Sequence, residues 1–215
     1  MIRAIVSDFG GVLTTPLIQG FLAYQDETGV TVEDLGRAMT EAQQRHGQPP
    51  LFQLERGEIS EEEFGRRLAH ALPRDFDFSH LREVYFDQLQ PNERMIDYMR
   101  ELRSRGLRMA LCTNNVREWE PLWRGKLPEL DEIFEVVIDS AFVGARKPEP
   151  RIFELTVERL GDGLRYEDCL LVDDAQVNCE GAAALGMQTV LFEETDQTIA
   201  AIEAELGGHV RSAWD

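Results

Sequence analysis

A chain of 215 residues with 43% apolar side chains is long enough to bury one sizeable core, with or without an inserted module. Forty acidic residues against 22 basic leave a formal net charge of −18, which argues against nucleic acid or an anionic membrane surface as a partner. No apolar run approaches the roughly 20 residues that span a bilayer, and the N-terminus enters a strand-like run with no leader pattern, so a protein without membrane anchor or secretory signal is expected.

The first element is a strand over residues 4–6, Ala-Ile-Val, within the stretch RAIVSDFGGVLT at 3–14. A short β-branched run closed by turn residues reads as buried strand. Asp8 sits where it stops, and Gly10-Gly11 lets the backbone turn tightly there.

From residue 16 to about 90 the pattern is helical and polar, with no convincing strand. Helices are expected over 17–27, then from Thr31, where T-V-E-D has the form of a capping box. Gly47-Gln48-Pro49-Pro50 breaks that helix, Ser60-Glu61-Glu62-Glu63 opens another, Pro73 ends it, and 78–89 forms a further apolar-periodic segment. From Pro91 strands and helices alternate: helix 91–105, strand 107–112, helix 116–123, strand 133–138, helix 149–160, strand 169–172, helix 176–185, strand 188–192, helix 198–206. Alternation of this kind predicts a parallel sheet with right-handed crossovers. Its ligand site is expected at the carboxyl edge, where Asp8, Thr113 and the pair Asp173-Asp174 each follow a strand.

Cys112, Cys169 and Cys179 show no C-x-x-C spacing and read as buried, reduced thiols of a cytoplasmic protein. His46, His70, His80 and His209 show no ligand spacing and are read as surface or cap residues. Trp119 and Trp123, four apart, read as packing residues.

Four stretches in order carry a resemblance: SDFGGV at 7–12, LCTNN at 111–115, ARKPEPRIF at 145–153 and LLVDDAQVNCEGAAALGM at 170–187. Together they resemble the four motifs of the haloacid dehalogenase-like hydrolase superfamily. The likeness is greatest to the branch containing the N-terminal phosphatase domain of soluble epoxide hydrolases. The resemblance implies an α/β fold, a Rossmann-like parallel sheet core (1–15 and 91–215), with an inserted α-helical cap (16–90). It implies a Mg²⁺-dependent phosphatase acting on a small phosphorylated metabolite. Asp8 matches the nucleophile that forms an aspartyl-phosphate. Mg²⁺ would be held by Asp8, the Gly10 carbonyl and Asp174, with Asp173 acting through water. Thr113 matches the phosphate-binding hydroxyl, with Asn114 beside it in the cradle. Lys147 matches the lysine that pairs with nucleophile and phosphate.

The residue types suit that chemistry. Phosphoryl transfer is mostly positioning and charge neutralisation, and Mg²⁺ takes hard oxygen ligands. Asp8, Asp173 and Asp174 carry three negative charges; Mg²⁺ and Lys147 would carry three positive, so the site can accept an anion despite the total of −18. Without the resemblance, Thr113 and Asn114 are also ordinary turn residues, and Asp173-Asp174 an ordinary helix start.

One position departs from the pattern. The family's phosphatases usually carry a second Asp two residues after the nucleophile, as general acid and base; here that position is Gly10. Such a group contributes typically about 10²–10⁴-fold. Either another group substitutes, or the substrate has a good leaving group, or the chain is a catalytically impaired phosphate-binding or regulatory protein. Haloacid dehalogenases also lack the second Asp, but they usually carry an aromatic at that position and no adjacent acid pair, so that reading is the weaker alternative. No motif in the cap region translates into a particular ligand.

Overall fold

The computed structural model describes residues 1–73 and 76–207; His209 lies outside the described residues, as does the tail after Gly207, expected to fray. Five strands form one parallel sheet: β1 (Ala4–Ser7), β2 (Arg108–Thr113), β3 (Val136–Asp139), β4 (Cys169–Asp173) and β5 (Gln188–Leu191), in the order β3-β2-β1-β4-β5. β1 is central, aligned Ala4 to Arg108 on one side and Ala4 to Cys169 on the other. All four of its residues are buried. A strand covered on both faces has no polar face, which is why its apolar run does not alternate. Ile5, Met109, Leu111 and Leu170 belong to one hydrophobic cluster; Ala4, Val6, Ala110 and Leu171 belong to the other, across the sheet.

Between β1 and β2 the chain is helical: α1 (Ile18–Thr28), α2 (Val32–His46), α3 (Pro50–Glu55), α4 (Glu61–Leu68), α5 (Phe78–Gln88) and α6 (Glu93–Ser104). Thr31 caps α2 as expected: its hydroxyl accepts from the Asp34 N–H at 3.0 Å, and Asp34 accepts in return from the Thr31 N–H at 3.1 Å. Ser60 caps α4 by accepting from the Glu63 N–H at 3.2 Å. α1 and α5 lie close, for a Cβ on Gly20 would stand 2.9 Å from the Tyr85 Cα. The chain leaves and returns along one seam. Thr14 bridges Pro91, the Thr15 N–H donates to the Gln90 carbonyl at 2.8 Å, and the Asn92 N–H donates to the Leu13 carbonyl at 2.9 Å.

After β2 come α7 (Glu120–Arg124), α8 (Leu130–Ile133), α9 (Ser140–Val143), α10 (Pro150–Leu160), α11 (Gln176–Ala184) and α12 (Thr195–Gly207). Three local expectations change. Residues 49–50 do not merely break a helix: Pro50 opens α3, at a position where its missing N–H is not needed. Residues 116–123 are not one helix but a 3₁₀ turn (Arg117–Trp119) followed by α7, whose early Pro121 lacks the N–H that would continue the preceding turn. The third strand starts at Val136 rather than Ile133, because Ile133 and Phe134 are buried through α8, with the Phe134 N–H donating to the Leu130 carbonyl at 2.8 Å.

All three cysteines are free and buried, and burial pushes the Cys112 thiol up to about 12. His46 and His70 are exposed, and His80 pairs with Glu27 at 2.9 Å. Among the described residues no helix is long and apolar enough to cross a membrane.

Candidate active site

Because β1 lies between β2 and β4, the crossovers leave it in opposite directions, and a crevice opens outside the strands' carboxyl ends. Asp8 follows β1 there, its N–H donating to the Val172 carbonyl at 2.9 Å. Its Oδ1 accepts from the Phe9 N–H at 2.7 Å and pairs with Lys147 Nζ at 2.9 Å. The turn that follows requires glycine. Gly11 has φ +81°, and a Cβ on it would lie 2.1 Å from Asp174 Oδ2.

Lys147 is fully buried and divides its ammonium between two carboxylates, donating to Asp173 Oδ2 at 2.6 Å as well as pairing with Asp8. Its loop is fixed from two directions. The Asn114 side chain donates from Nδ2 to the Lys147 carbonyl at 3.0 Å and accepts at Oδ1 from the Lys147 N–H at 2.8 Å. On the other side, α11 comes so near that a Cβ on Gly181 would meet the Pro148 carbonyl oxygen at 2.9 Å. The peptide joining Lys147 to Pro148 is cis.

Asp173 is fully buried and its acceptors are in use: Oδ2 by Lys147, Oδ1 by the Ala175 N–H and by Asn178 Nδ2, both at 2.9 Å. Asp174, its neighbour, stands open on the crevice wall. Asp8, Asp173 and Asp174 each offer a carboxylate oxygen within 4.8 Å of the others. Three acids thus face one ammonium, and the imbalance shows at Asp8 and Asp174. Burial, with Asp173 and Asp174 adding repulsion, raises Asp8 to about 7 against the opposing pull of Lys147. Asp174 is raised also, by its partial enclosure and then by Asp173. For Lys147 burial favours the neutral amine, but Asp8 and Asp173 outweigh it and hold the charge.

Thr113, at the end of β2, is buried and lines the same crevice, as do Gly10 and Asn114. All seven residues singled out from the sequence therefore converge here. Asn114 does so with its side-chain amide engaged by the Lys147 backbone.

Sequence reasoning missed the groups that enclose the site from the helical side. The crevice is one end of a cavity of about 410 Å³ that runs under α1–α5. Glu55 at the end of α3 pairs with Arg146, and Arg56 pairs with Glu149 (Nε to Oε1, 2.9 Å), so two ion pairs tie α3 to the loop that carries Lys147. The turn after α3 packs on the sheet layer, where a Cβ on Gly57 would lie 2.3 Å from the Ala141 carbonyl oxygen. Trp119 and Trp123 are cavity wall as well as packing. Trp119 stacks on Phe78 with centroids 6.1 Å apart, and Trp123 packs on Phe9 at 5.1 Å. The alternation of Glu and Arg over 55–58 and 146–151 was the available signal, but charge spacing does not reveal which of two distant segments pair.

Residues 2–186 match the family of haloacid dehalogenase-like hydrolases. The mouse protein acyl-CoA dehydrogenase family member 10 is 30% identical over 95% of this chain and 19% of its own length. Rat bifunctional epoxide hydrolase 2 is 24% identical over 96% of this chain and 39% of its own. The chain thus spans well under half the length of these relatives. A phosphatase of this family from Thermococcus onnurineus superposes with a TM-score of 0.65 at 25% identity, over 96% of this chain and 99% of that one. A family enzyme from Bacteroides thetaiotaomicron, solved with magnesium and inorganic phosphate, superposes with a TM-score of 0.66 at 22% identity, over 90% and 95%. With its four motifs gathered at one sheet edge and the family match running from β1 past α11, this chain belongs to the haloacid dehalogenase-like hydrolases, on the branch that includes bifunctional epoxide hydrolase 2.

Proposed function

We propose that the protein is a magnesium-dependent phosphatase that hydrolyses small phosphate monoesters through an aspartyl-phosphate on Asp8. The observation that carries this reading is the surplus of carboxylate over ammonium at the site: three acids and one buried lysine at the carboxyl edge of the sheet. That donor set is all oxygen, two of the acids are adjacent, and Asp8 is raised to about 7, which together fit a hard divalent cation. Asp8, the Gly10 carbonyl and Asp174 would hold it, while Asp173, with its oxygens already bonded, orients Lys147 and the start of α11. When bound, Mg²⁺ supplies the charge that lets a carboxylate approach a phosphate dianion.

The chain's own residues do the rest. Lys147 and the Phe9 N–H fix Asp8 through Oδ1. The Asp8 carboxylate forms a bond to phosphorus as the ester P–O bond breaks and the alcohol oxygen departs with the electron pair. Water then attacks the aspartyl-phosphate, releasing inorganic phosphate and regenerating the carboxylate. Thr113 and Lys147 bind the phosphate oxygens, and Asn114 keeps Lys147 in register. Residues 1–15 and 91–207 form the core in this reading and 16–90 the cap. The seam at Thr14–Pro91 supports the boundary. The buried free thiols fit a reducing, cytoplasmic setting.

The test is release of inorganic phosphate from acetyl phosphate and p-nitrophenyl phosphate, with Mg²⁺ or with EDTA. Turnover that needs Mg²⁺ and falls at least about 10⁴-fold in Asp8→Asn is the expected result; EDTA-insensitive turnover, or full activity in Asp8→Asn, would overturn the reading. Gly10 favours one second reading, a phosphate-binding protein without turnover. It would show Mg²⁺-dependent binding of inorganic phosphate by the wild type and no release from either ester.

A further inference from the structure

The cavity beyond the phosphate end has a largely apolar wall. Phe21, Met39, Phe64, Leu68, Phe78 and Trp119 contribute apolar surface from the helical side and the adjoining turn. The charged groups of the wall are already paired, Arg146 with Glu55, and the Arg146 guanidinium also lies 3.9 Å from the Phe52 ring centroid. A polyhydroxylated leaving group placed here would lose its hydrogen bonds to water and find few partners in exchange. An apolar one would be stabilised by the area it removes from water.

The floor adds an independent constraint. Gly10 has no side chain to protonate a departing oxygen. Among the described residues no histidine lines the cavity, and the buried Glu55 carboxylate is held by Arg146. The Tyr85 phenol on the wall is buried, which disfavours loss of its proton near neutral pH. An alkoxide, as basic as hydroxide, departs poorly without a proton; a phenolate, with a pKa near 10, departs as the anion.

We propose that the preferred substrates are aryl phosphates, monoesters whose leaving group is an apolar phenol held in this aromatic cavity; this rests on the phosphatase reading and names its substrate class. The bond from Asp8 to phosphorus forms as the P–O(aryl) bond breaks, and the phenolate leaves with the electron pair and takes its proton from solvent.

The experiment compares kcat/KM for phosphate release from 1-naphthyl, cyclohexyl, dodecyl and glucose 6-phosphates at fixed Mg²⁺, with acetyl phosphate as a tail-less control. Naphthyl phosphate should exceed the other three esters by at least about 100-fold, the low end of what a missing general acid withholds from them. A smaller ratio to any of the three overturns the aryl assignment, dodecyl phosphate pointing to a lipid chain and glucose 6-phosphate to a sugar. If acetyl phosphate is hydrolysed and naphthyl phosphate is not preferred, this inference falls while the phosphatase stands. If no compound releases phosphate, the phosphatase reading falls and takes this one with it. In addition, Met39→Gln, at a half-buried wall position, should raise KM for naphthyl phosphate about tenfold with kcat within twofold. An unchanged KM in a variant with wild-type thermal unfolding also overturns it.

Discussion

At the carboxyl edge of the sheet the buried groups are ionisable: Lys147 is fully enclosed and keeps its charge through Asp8 and Asp173. Across the cavity, the helices α1–α5 bury Leu35, Leu54, Phe64 and Leu68, and their charges are spent on rims and caps. Both regions wall one cavity, yet removing a single group has different consequences in each. A buried charge is tolerated only with its partner present, because the desolvation cost of an ion is several kcal/mol. An apolar contact or cap is one of many similar contributions. The edge is therefore an all-or-none arrangement suited to chemistry, and the helical side is a graded surface suited to choosing a substrate.

Breaking the edge is expected to give the largest effect. Lys147→Met would leave Asp8 and Asp173 buried without a counter-charge and cost about 3–5 kcal/mol of stability, along with turnover, read by chemical denaturation and phosphate release. Next comes the pH dependence of the metal-free protein. The folded pKa of Asp8, about 7, lies above its ordinary value of 3.8. Between those pH values the folded chain holds a proton that the unfolded chain has released, so stability falls as pH rises through the window. Asp8→Asn removes that penalty, and in EDTA its advantage over wild type should grow from near zero at pH 4 to on the order of 2–4 kcal/mol at pH 7.5. An advantage that is flat with pH would refute the assignment of the raised pKa to this group.

Gly10→Asp sharpens the comparison by giving the floor an acid. The three atoms nearest the new Cβ all belong to the Leu17 side chain, the first at 2.8 Å, and Leu17 is 36% exposed and able to yield. Turnover of cyclohexyl phosphate should rise about 10²-fold and that of aryl esters far less; equal gains would mean that departure of the alcohol was never limiting. On the helical side Thr31→Ala should cost only about 1 kcal/mol, measured by thermal unfolding, with kcat/KM unchanged. A loss comparable to Lys147→Met would show that the helical module is as interdependent as the edge.

The strands were legible because β1, β2 and β4 are covered on both faces and so are written as unbroken apolar runs. The Thr31 cap was legible because both halves of its hydrogen-bonded box lie within four residues. The short helices α3, α8 and α9 were not, since four to six residues hold too little periodicity and form through tertiary burial. The same distinction runs through the site. Asp8, Gly10, Thr113, Asn114, Lys147, Asp173 and Asp174 could be picked out because each sits in a local motif at a strand end. Two glycines in the motifs gained a reason only in three dimensions: Gly11 makes room for Asp174, and Gly181 makes room for Pro148.

What the sequence determined by itself was the alternation of elements, the family, the residues of the polar floor and the missing acid at position 10, because these are carried by neighbours along the chain. What only the tertiary structure decided was the pairing of Glu55 with Arg146 and Arg56 with Glu149, the division of Lys147 between Asp8 and Asp173, and the aromatic wall that faces them. Those depend on segments some 90 residues apart in the first two pairs. Whether a charge or a ring faces solvent, a partner or a cavity is set by the packing of whole elements, which no local pattern encodes.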